Sequence, residues 1–512
     1  MLVKTFASAV TGIDAVPVTI EVNVSQGIRF FLVGLPDVAV KESQQRIESA
    51  FRSNGYKWPG KQVVINMAPA DIRKEGSAYD LPLAIGVLAA DERITRENLE
   101  SFLIMGELSL DGTLQPVKGV LPIALRAREE GFKGLIVPAR NGCEAAVVKG
   151  LDVYGMANLK DVTDLLDGTV KPEPVRVDLD EIFSAQANRY DVDFSDVRGQ
   201  ESVKRALEVA AAGGHNIIMI GPPGAGKTML AKRMPTIMPP LILEEALETT
   251  KIHSVAGKID DNTSLMTRRP FRSPHHTISD VALVGGGTFP QPGEISLAHN
   301  GVLFLDELPE FKRSVLEVLR QPLEDRVITI SRAKFTVDYP ASFQLVASMN
   351  PCPCGFHNHP EKDCMCTAGM VQKYINRISG PLLDRIDIHI EVVPVKYDKL
   401  SDNRNIESSA TVRERVVMAR RIQAERFASI KGVYTNSQMT SSLQRKYCYL
   451  DEAGSKLLKT AMDMRGLSAR AYDRILKVAR TIADLDGSAD IRSEHISEAI
   501  NYRNLDRDGW AG

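Results

Sequence analysis

Residues Asn216–Thr228, NIIMIGPPGAGKT, decide the fold of this chain. An apolar run, Ile217–Ile220, is followed at once by Gly221–Thr228, which fits the pattern G-x-x-x-x-G-K-[ST] without a gap. The glycines let successive backbone N–H groups face one anion, and a helix that begins near Lys227 adds the positive end of its dipole. The sequence therefore predicts a buried strand, a loop and a helix that bind a nucleoside triphosphate.

Two residues of this loop have specific expected roles. Lys227 is expected to reach the β- and γ-phosphates of ATP, and Thr228 to offer its hydroxyl to Mg²⁺. The other expected nucleotide-binding positions are Gly221, Pro222, Pro223, Gly224, Ala225 and Gly226. The alternative is an ordinary glycine- and proline-rich turn between a strand and a helix, which the apolar run before the loop disfavours.

The composition is that of an ordinary globular protein. The 512 residues predict about three domains, and 44% are hydrophobic while 25% are charged. A formal net charge of −2 gives no overall basic character, so a nucleic-acid surface would have to be local. No apolar run is long enough to span a membrane, and the first ten residues lack the apolar core of a signal peptide. We therefore expect a cytoplasmic protein with no membrane partner.

Two later apolar runs end in polar side chains. Gly301–Glu307 (GVLFLDE) ends in Asp306 and Glu307, and Phe343–Asn350 (FQLVASMN) ends in an amide. Because the carboxyl ends of parallel strands meet at one edge of a sheet, we expect Asp306 to hold Mg²⁺ beside Thr228. Glu307 suits a base that polarises the attacking water.

Four of the six cysteines lie close together in the sequence. The pattern is C-x-C, nine residues and C-x-C, and it contains Cys352, Cys354, Cys364 and Cys366. Zn²⁺ takes four soft ligands in a tetrahedron, so the four thiols are a candidate zinc site. Because the usual spacing is C-x-x-C, reduced structural or redox thiols remain the alternative.

Two segments interrupt the predicted nucleotide-binding core. Residues 326–337 (RVITISRAKFTV) are predicted to be two strands joined by a basic tip, and Arg332 and Lys334 are candidate contacts for a DNA backbone. An ordinary charged hairpin tip is the alternative. In residues 268–300, glycines and prolines predict loops, and His275-His276 is either a pore feature or a polar turn.

The C-terminal segment is predicted to be helical. Thr411–Ile430 carries five arginines among aliphatic residues, which favours a solvated charged face. In the later stretch Leu467–Lys477, Arg470, Arg474 and Lys477 share one helix face, opposite to the apolar face. The pattern indicates a lid helix with cations directed away from its core.

The order of these motifs resembles the YifB/ComM family of magnesium-chelatase-like AAA+ ATPases. The resemblance covers nearly the whole chain and rests on Gly221–Thr228, Gly301–Glu307, Asn350–Gly355 (NPCPCG) and Ser379–Asp387 (SGPLLDRID). It implies that Asn350 is sensor 1, which orients the attacking water. It also implies that Arg385 is an arginine finger for the neighbouring subunit and that Arg470 is sensor 2, with Arg474 as the second candidate. Arginine suits the finger because its planar cation stabilises charge on γ-phosphate oxygens, whereas an intrachain ion pair of Arg385 with Asp384 or Asp387 is the alternative.

The front of the chain resembles the Lon-protease-like domain of the same ATPases. Lys74–Ala84 (KEGSAYDLPLA) is similar to that domain's catalytic-serine segment, although Ser77 lies one place from the nucleophile position. A serine protease of this type needs a lysine base, and Lys118 is displaced from its position. The segment therefore favours a domain used for assembly or partner contact.

The resemblance implies an α/β fold class with a specific domain order. Residues 1–168 are expected to form the Lon-protease-like domain, 169–193 a linker, 194–398 an AAA+ core with a parallel sheet and helices on both faces, and 399–512 a helical lid. The expected function is a homo-hexameric ring ATPase that uses ATP and Mg²⁺ to unwind DNA or migrate its branches, as in natural transformation. A magnesium-chelatase-type motor acting on a protein partner and an ATP-dependent protease are the alternatives.

Overall fold

The computed structural model describes residues 2–186, 190–260, 263–287, 290–332, 335–357, 359, 361–395 and 407–503. They form two compact units, each with its own sheet. The first unit contains Met1–Ser184 and Leu243–Thr267, and the second contains Ala185–Ile242 and Arg268–Gly512. The first unit thus includes a segment from within the sequence expected to be ATPase core. The three boundaries between the four expected ranges stay predictions.

The first unit is built on a mixed seven-stranded sheet in the order β3-β4-β2-β1-β5-β8-β9. The pairs β1–β2 and β2–β4 are antiparallel, and the other pairs of this sheet are parallel. The short strands β6 and β7 form a separate antiparallel ribbon. The strands are β1 (Leu2–Thr11), β2 (Asp14–Ser25), β3 (Phe30–Val33), β4 (Gln62–Ala68), β5 (Phe102–Ile104), β6 (Glu107–Leu108), β7 (Leu114–Gln115), β8 (Gly134–Pro138) and β9 (Asp152–Met156).

Helices pack against this sheet and complete its core. The most buried is Asp80–Ala90, in which every residue is buried, and it lies against β1 and β2. The helices of this unit are Val38–Lys41, Ser43–Ser53, Asp80–Ala90, Val120–Glu129, Gly142–Ala145, Leu159–Leu166, Leu179–Gln186 and Leu243–Ala256. The α/β character expected for the front of the chain is confirmed.

The helix Leu243–Ala256 belongs to the first unit by its contacts. Ser254 donates its hydroxyl to the buried carboxylate of Glu144, and its carbonyl oxygen accepts from the backbone N–H of Gly119 at 3.1 Å. Lys251 forms an exposed ion pair with Asp14 at 3.2 Å. These contacts join residues that are more than a hundred positions apart, so local sequence patterns carry no sign of them.

The second unit is built on a five-stranded parallel sheet in the order β11-β14-β17-β10-β18. Its three central strands are buried along their whole length, as expected for a parallel sheet covered on both faces. Two antiparallel pairs, β12–β13 and β15–β16, lie outside it. The strands are β10 (Ile217–Ile220), β11 (Phe271–Arg272), β12 (Gly285–Gly286), β13 (Gln291–Pro292), β14 (Val302–Leu305), β15 (Val327–Arg332), β16 (Phe335–Pro340), β17 (Gln344–Met349) and β18 (Ile388–Glu391).

The helices of the second unit divide into those near the sheet and a C-terminal helical group. The former are Glu201–Gly213, Lys227–Ile237, Asp280–Val284, Glu294–Leu297, Arg313–Glu317, Arg320–Asp325, Ala368–Ile375 and Gly380–Leu383. The latter are Ser409–Phe427, Ser441–Tyr447, Glu452–Arg465, Ala469–Leu485 and Ser493–Asn501. The parallel sheet and the helical C-terminal region are confirmed. None of the described helices is both long and apolar enough to cross a membrane.

The charged helix Ser409–Phe427 differs from its sequence expectation. Arg413 donates to the carbonyl oxygen of Thr236 at 3.0 Å, and Arg420 donates to that of Ala211 at 2.9 Å. Arg426 pairs with the fully buried carboxylate of Asp484 at 2.5 Å. The expected solvated face is therefore wrong for these arginines, which attach the helix to its neighbours because their long side chains reach carbonyls and carboxylates at element ends.

Candidate active site

The phosphate-binding loop joins β10 to the helix Lys227–Ile237. Gly224 and Gly226 have φ angles of 80° and 86°, in the left-handed region that glycine adopts without strain. A Cβ atom on Gly221 would lie 2.2 Å from the carbonyl oxygen of Val392, so only glycine permits this close approach. The resulting loop ends at a helix N-terminus with free N–H groups, which fits a phosphate.

The Lys227 ammonium lies inside the loop and has neutral acceptors. It donates to the carbonyl oxygens of Gly221 at 2.6 Å and Pro222 at 3.0 Å, and to Oδ1 of Asn350 at 3.1 Å. Burial lowers the pKa of Lys227, whereas the charges of Asp306 and Glu307 oppose that effect. A buried cation whose hydrogen-bond partners are neutral would be stabilised by an anion, which fits the expected phosphate.

Asp306 is the centre of a hydrogen-bond cluster at the end of β14. Its Oδ2 accepts from the Thr228 hydroxyl at 2.7 Å, and its Oδ1 accepts from the hydroxyl of Ser348 and from the N–H of Glu307 at 3.1 Å. A carboxylate and a hydroxyl are oxygen ligands that Mg²⁺ accepts, so the pair fits this ion. The sequence reasoning missed Ser348. Its signal is a hydroxyl in the otherwise apolar run Leu345–Met349, two residues before Asn350.

Glu307 follows Asp306 in a constrained backbone conformation. Its φ is 53°, in the left-handed region that few residues other than glycine adopt, and it opens the short turn Leu308–Glu310. Its side chain is 53% exposed, and Oε2 lies 3.8 Å from Nδ1 of His276. Such strain in a residue beside a ligand site is typical of functional positions.

Asn350 reaches the loop because β17 lies directly beside β10. Met349 is paired with Ile220, and the N–H of Gly221 donates to the carbonyl oxygen of Met349 at 3.2 Å. The next residue, Asn350, therefore faces Lys227. Three neighbouring parallel strands thus bring Lys227, Thr228, Asp306 and Asn350 into one cluster.

Arg385 is held within its own chain, although not by the partners considered from the sequence. Its guanidinium pairs with the carboxylate of Glu324, on the helix Arg320–Asp325, and donates to the carbonyl oxygen of Pro381 at 2.5 Å. Its side chain is 14% exposed. Asp384 and Asp387 pair with other arginines, so neither forms the ion pair with Arg385 that was the alternative.

The two sensor candidates on the lid helix differ in environment. Arg470 is 70% exposed and pairs with Asp384 at 2.7 Å. Arg474 pairs with the buried Asp387 at 3.0 Å, and the Lys477 ammonium donates to the carbonyl oxygen of Ser437 at 3.1 Å. The expectation that all three cations point away from the core is therefore wrong for Arg474 and Lys477. Arg470 alone of the three is exposed.

The four clustered cysteines converge on one point. The sulfur atoms of Cys352, Cys354 and Cys364 are 3.3–3.7 Å apart, and all four lie within 4.8 Å of one another. Four sulfurs at the usual Zn–S distance would be about 3.8 Å apart in a tetrahedron, so the thiols fit zinc. The loop also touches the nucleotide site, since a Cβ atom on Gly355 would lie 2.6 Å from Cδ of Pro223.

The predicted hairpin is present as β15 and β16, which pair from Val327↔Pro340 to Arg332↔Phe335. The backbone of Arg332 ends β15, while Lys334 lies outside the described residues. The role of both in DNA binding stays a prediction, as do the roles of Glu307, Asn350, Arg385 and Arg470.

The serine segment of the first unit lacks a serine–lysine pair in the described part of the chain. The hydroxyl of Ser77 donates to the carboxylate of Glu107, and the ammonium of the buried Lys74 donates to the carbonyl oxygen of Pro69. Lys118 runs along Gly257, where a Cβ atom would lie 2.6 Å from its Cε. A serine bound to a carboxylate has no amine to activate it in this arrangement.

Comparison with known proteins agrees with this architecture. Three family descriptions match: "Subunit ChlI of Mg-chelatase" over residues 20–141, "Magnesium chelatase, subunit ChlI" over 193–400 and "Magnesium chelatase, subunit ChlI C-terminal" over 406–503. The chain is 44% identical to the protein YifB of Salmonella typhimurium over 98% of its own length and 96% of that protein. It is also 44% identical to the competence protein ComM of Haemophilus influenzae, over 98% and 97%.

A more distant similarity covers part of the chain. Lon protease 2 of Bacillus subtilis is 32% identical over 28% of this chain and 27% of that protein. Together with the full-length relatives, the parallel sheet and the loop geometry, it fits one family. The chain belongs to the YifB/ComM family of magnesium-chelatase-like AAA+ ATPases.

Proposed function

We propose that this AAA+ ATPase assembles into a hexameric ring that couples ATP hydrolysis to the unwinding or branch migration of DNA. The observation that carries the ATPase part is the single cluster of Lys227, Thr228, Asp306 and Asn350 at the carboxyl ends of three adjacent parallel strands. Ligands of such sheets bind outside the carboxyl ends of the strands. The ring and the DNA are implied by the family resemblance.

Each residue of the cluster has a defined task in this proposal. Lys227 and the loop N–H groups bind the phosphates, and Thr228 and Asp306 hold Mg²⁺, which when bound neutralises charge on the phosphate oxygens. Glu307 polarises the attacking water, and Asn350 orients it. The hydrogen bond from Lys227 to Asn350 supports the assignment of both residues to the same phosphate group.

Arg385 supplies the cation that the neighbouring site needs. A planar guanidinium stabilises charge that spreads over γ-phosphate oxygens, an effect worth about 10³–10⁵ in rate. In the single chain this cation is paired with Glu324. Assembly must therefore exchange that carboxylate for the phosphate of the next subunit, so hydrolysis depends on the ring.

The hairpin is the proposed DNA contact. Among the described residues, its strands β15 and β16 pair with each other and with no other strand. In the sequence, Arg332 and Lys334 fall at the predicted basic tip and suit a phosphate backbone. It lies in the sequence between Glu307 and Asn350. A movement of the hairpin is thus connected by the chain to the residues that act on the water.

The test is Glu307→Gln, which keeps the shape of the side chain but removes its charge. We expect this variant to bind ATP and DNA, to lose at least about 10² in hydrolysis rate, and to lose unwinding of forked DNA. The matched control is Glu310→Gln, three residues along, whose carboxylate pairs with Arg377 at 2.9 Å outside the cluster. Unwinding retained by the Glu307 variant would contradict the proposal.

The substrate class can be tested by measuring the ATPase rate with added DNA or an added protein partner, and by testing for cleavage of a peptide. Stimulation by forked or single-stranded DNA is expected. An ATPase that ignores DNA and responds to a protein partner would favour the magnesium-chelatase-type motor. ATP-dependent cleavage of a peptide would favour the protease, which the Ser77–Glu107 contact disfavours.

A further inference from the structure

His276 lies beside the proposed catalytic carboxylate. It belongs to the segment between β11 and the helix Asp280–Val284, and its Nδ1 is 3.8 Å from Oε2 of Glu307. This separation is longer than a direct hydrogen bond and short enough for a bridging water or an ion pair. Among the described residues, His276 is the basic side chain that forms this contact with Glu307.

The imidazole of His276 is itself held in place. Its ring packs against that of His275 at a tilt of 35° with centroids 4.1 Å apart, and it meets Phe311 edge-on at 6.4 Å. Phe311 ends the short turn that Glu307 begins, so His276 contacts both ends of one turn. Other charges near Glu307 are Asp306, which accepts its N–H, and Lys227, whose charge it favours. His276 is therefore held within reach of the Glu307 carboxylate.

The residues that follow the helix Asp280–Val284, after His276 in the sequence, contact the hairpin. A Cβ atom on Gly285 would lie 2.9 Å from Cδ1 of Ile330, and the hydroxyl of Tyr339 donates to the carbonyl oxygen of Pro290 at 2.7 Å. Both Ile330 and Tyr339 are buried. A displacement of the hairpin would therefore change its contacts with Gly285 and Pro290.

The base of the segment is fixed. Arg272, at the end of β11, makes two hydrogen bonds of 2.6 Å to the carboxylate of Glu294. Paired bonds of this kind are geometrically specific. His276, Gly285 and Pro290 all lie in the sequence between these two paired residues.

We propose that His276 is a positioning residue for Glu307 that sets the orientation of its carboxylate and links it to the hairpin. This inference rests on the proposed role of Glu307 as the base. The sequence left His275-His276 as either a pore feature or a polar turn. The inference instead gives His276 a role in ATP hydrolysis. His275 supports the ring of His276 and has no contact with Glu307 in the described structure.

The test compares three variants of the full-length protein with and without single-stranded DNA. His276→Ala removes the contact, His276→Asn keeps a polar donor near the Nδ1 position, and His275→Phe keeps the stacked ring while removing its nitrogens. We expect His276→Ala to lower kcat for ATP hydrolysis about tenfold while KM stays within about twofold. The ratio of the ATPase rates with and without DNA should fall to about one. His276→Asn should restore kcat to within about threefold, and His275→Phe should match the unchanged protein.

Several results would overturn this inference. They are an unchanged kcat and DNA stimulation in His276→Ala, a raised KM with unchanged kcat, or His276→Asn as slow as His276→Ala. Glu307→Gln, measured in the same series, separates the two proposals. If that variant hydrolyses ATP normally, the proposed function fails; if it is inactive while His276→Ala is normal, only the positioning role fails.

Discussion

Asp387 shows at the scale of one residue how the lid helix is attached. Its side chain is 1% exposed; it forms an ion pair with Arg474 at 3.0 Å and accepts a hydrogen bond from the N–H of Asn216 at 3.1 Å, with His215 Nδ1 at 3.4 Å. Burial raises the pKa of Asp387, but Arg474 and His215 outweigh burial and hold it well below its usual range. The carboxylate is therefore charged at neutral pH and depends on its partners.

Removal of Arg474 is predicted to destabilise the second unit. Arg474→Met leaves the buried carboxylate without its main cation and should lower the free energy of unfolding by about 3–5 kcal/mol. The matched control, Arg470→Met, breaks an exposed pair and should cost no more than about 1 kcal/mol. Urea denaturation at pH 7 measures both. The pKa of Asp387 is lower in the folded protein than in the unfolded chain, so the charged carboxylate stabilises the fold at pH 7. This contribution is lost only as the pH falls through the depressed pKa of the folded state. Equal losses in the two variants would contradict this.

The element that most directly joins two parts of the active site is the cysteine loop, Cys352–Cys366. It begins two residues after Asn350, and its Gly355 lies against Pro223 of the phosphate-binding loop. Gly355 has a φ of 84°, and its N–H donates to the carbonyl oxygen of Cys352 at 3.0 Å. A metal in this loop would therefore stiffen the contact between Asn350 and the phosphate site.

Zinc is predicted to bind this loop with one ion per chain. Purified protein should contain one equivalent of zinc by elemental analysis, and Cys364→Ser should lose most of it because three thiolates and a hydroxyl bind more weakly. Cys143→Ser, at an exposed cysteine of the first unit, is the control and should keep the metal. Protein that folds with four titratable thiols and no metal would show that the cysteines are structural.

The elements of the second unit were predictable because their signals are local. The runs IIMI, VLFL and FQLVASMN contain β10, β14 and the whole of β17, and the polar residues at their ends form the cluster around Lys227. The strand β1 has a weak signal in the sequence because its buried face carries small or polar side chains at Thr5, Ala7 and Ala9, which give little hydrophobic contrast. The sequence predicts that the helix Leu243–Ala256 belongs to the ATPase core, because its position lies within residues 194–398. Its contacts with Glu144 and Gly119 have no signal in its own residues.

Within the site, too, the residues with local sequence signals were predictable and the others were not. Residues that follow a strand could be placed from the order of the motifs, whereas His276 could not, because its approach to Glu307 depends on the path of an irregular segment. The partner of Arg385 was also not predictable. Glu324 lies sixty-one positions earlier on a separate helix, and the nearby Asp384 and Asp387 were the obvious candidates from the sequence.

In the ring proposed for the whole molecule, each ATP is bound between two subunits. Lys227 of one chain would bind the phosphates, and Arg385 of the next would stabilise the charge that develops on them. In the single chain, Arg385 is paired with Glu324 and would not be available to a phosphate. ATP hydrolysis by the single chain should therefore be slow. Activity should then appear with assembly and depend on contributions from different chains.

Mixing two inactive variants tests this claim most directly. Lys227→Ala and Arg385→Ala should each be nearly inactive alone, and co-expression in equal amounts should restore ATP hydrolysis to about one quarter of the normal rate, since random assembly gives that share of intact interfaces. The measurement is the steady-state ATPase rate of the purified mixed ring. Full activity of Arg385→Ala alone, or a mixture as inactive as its two components, would contradict the account.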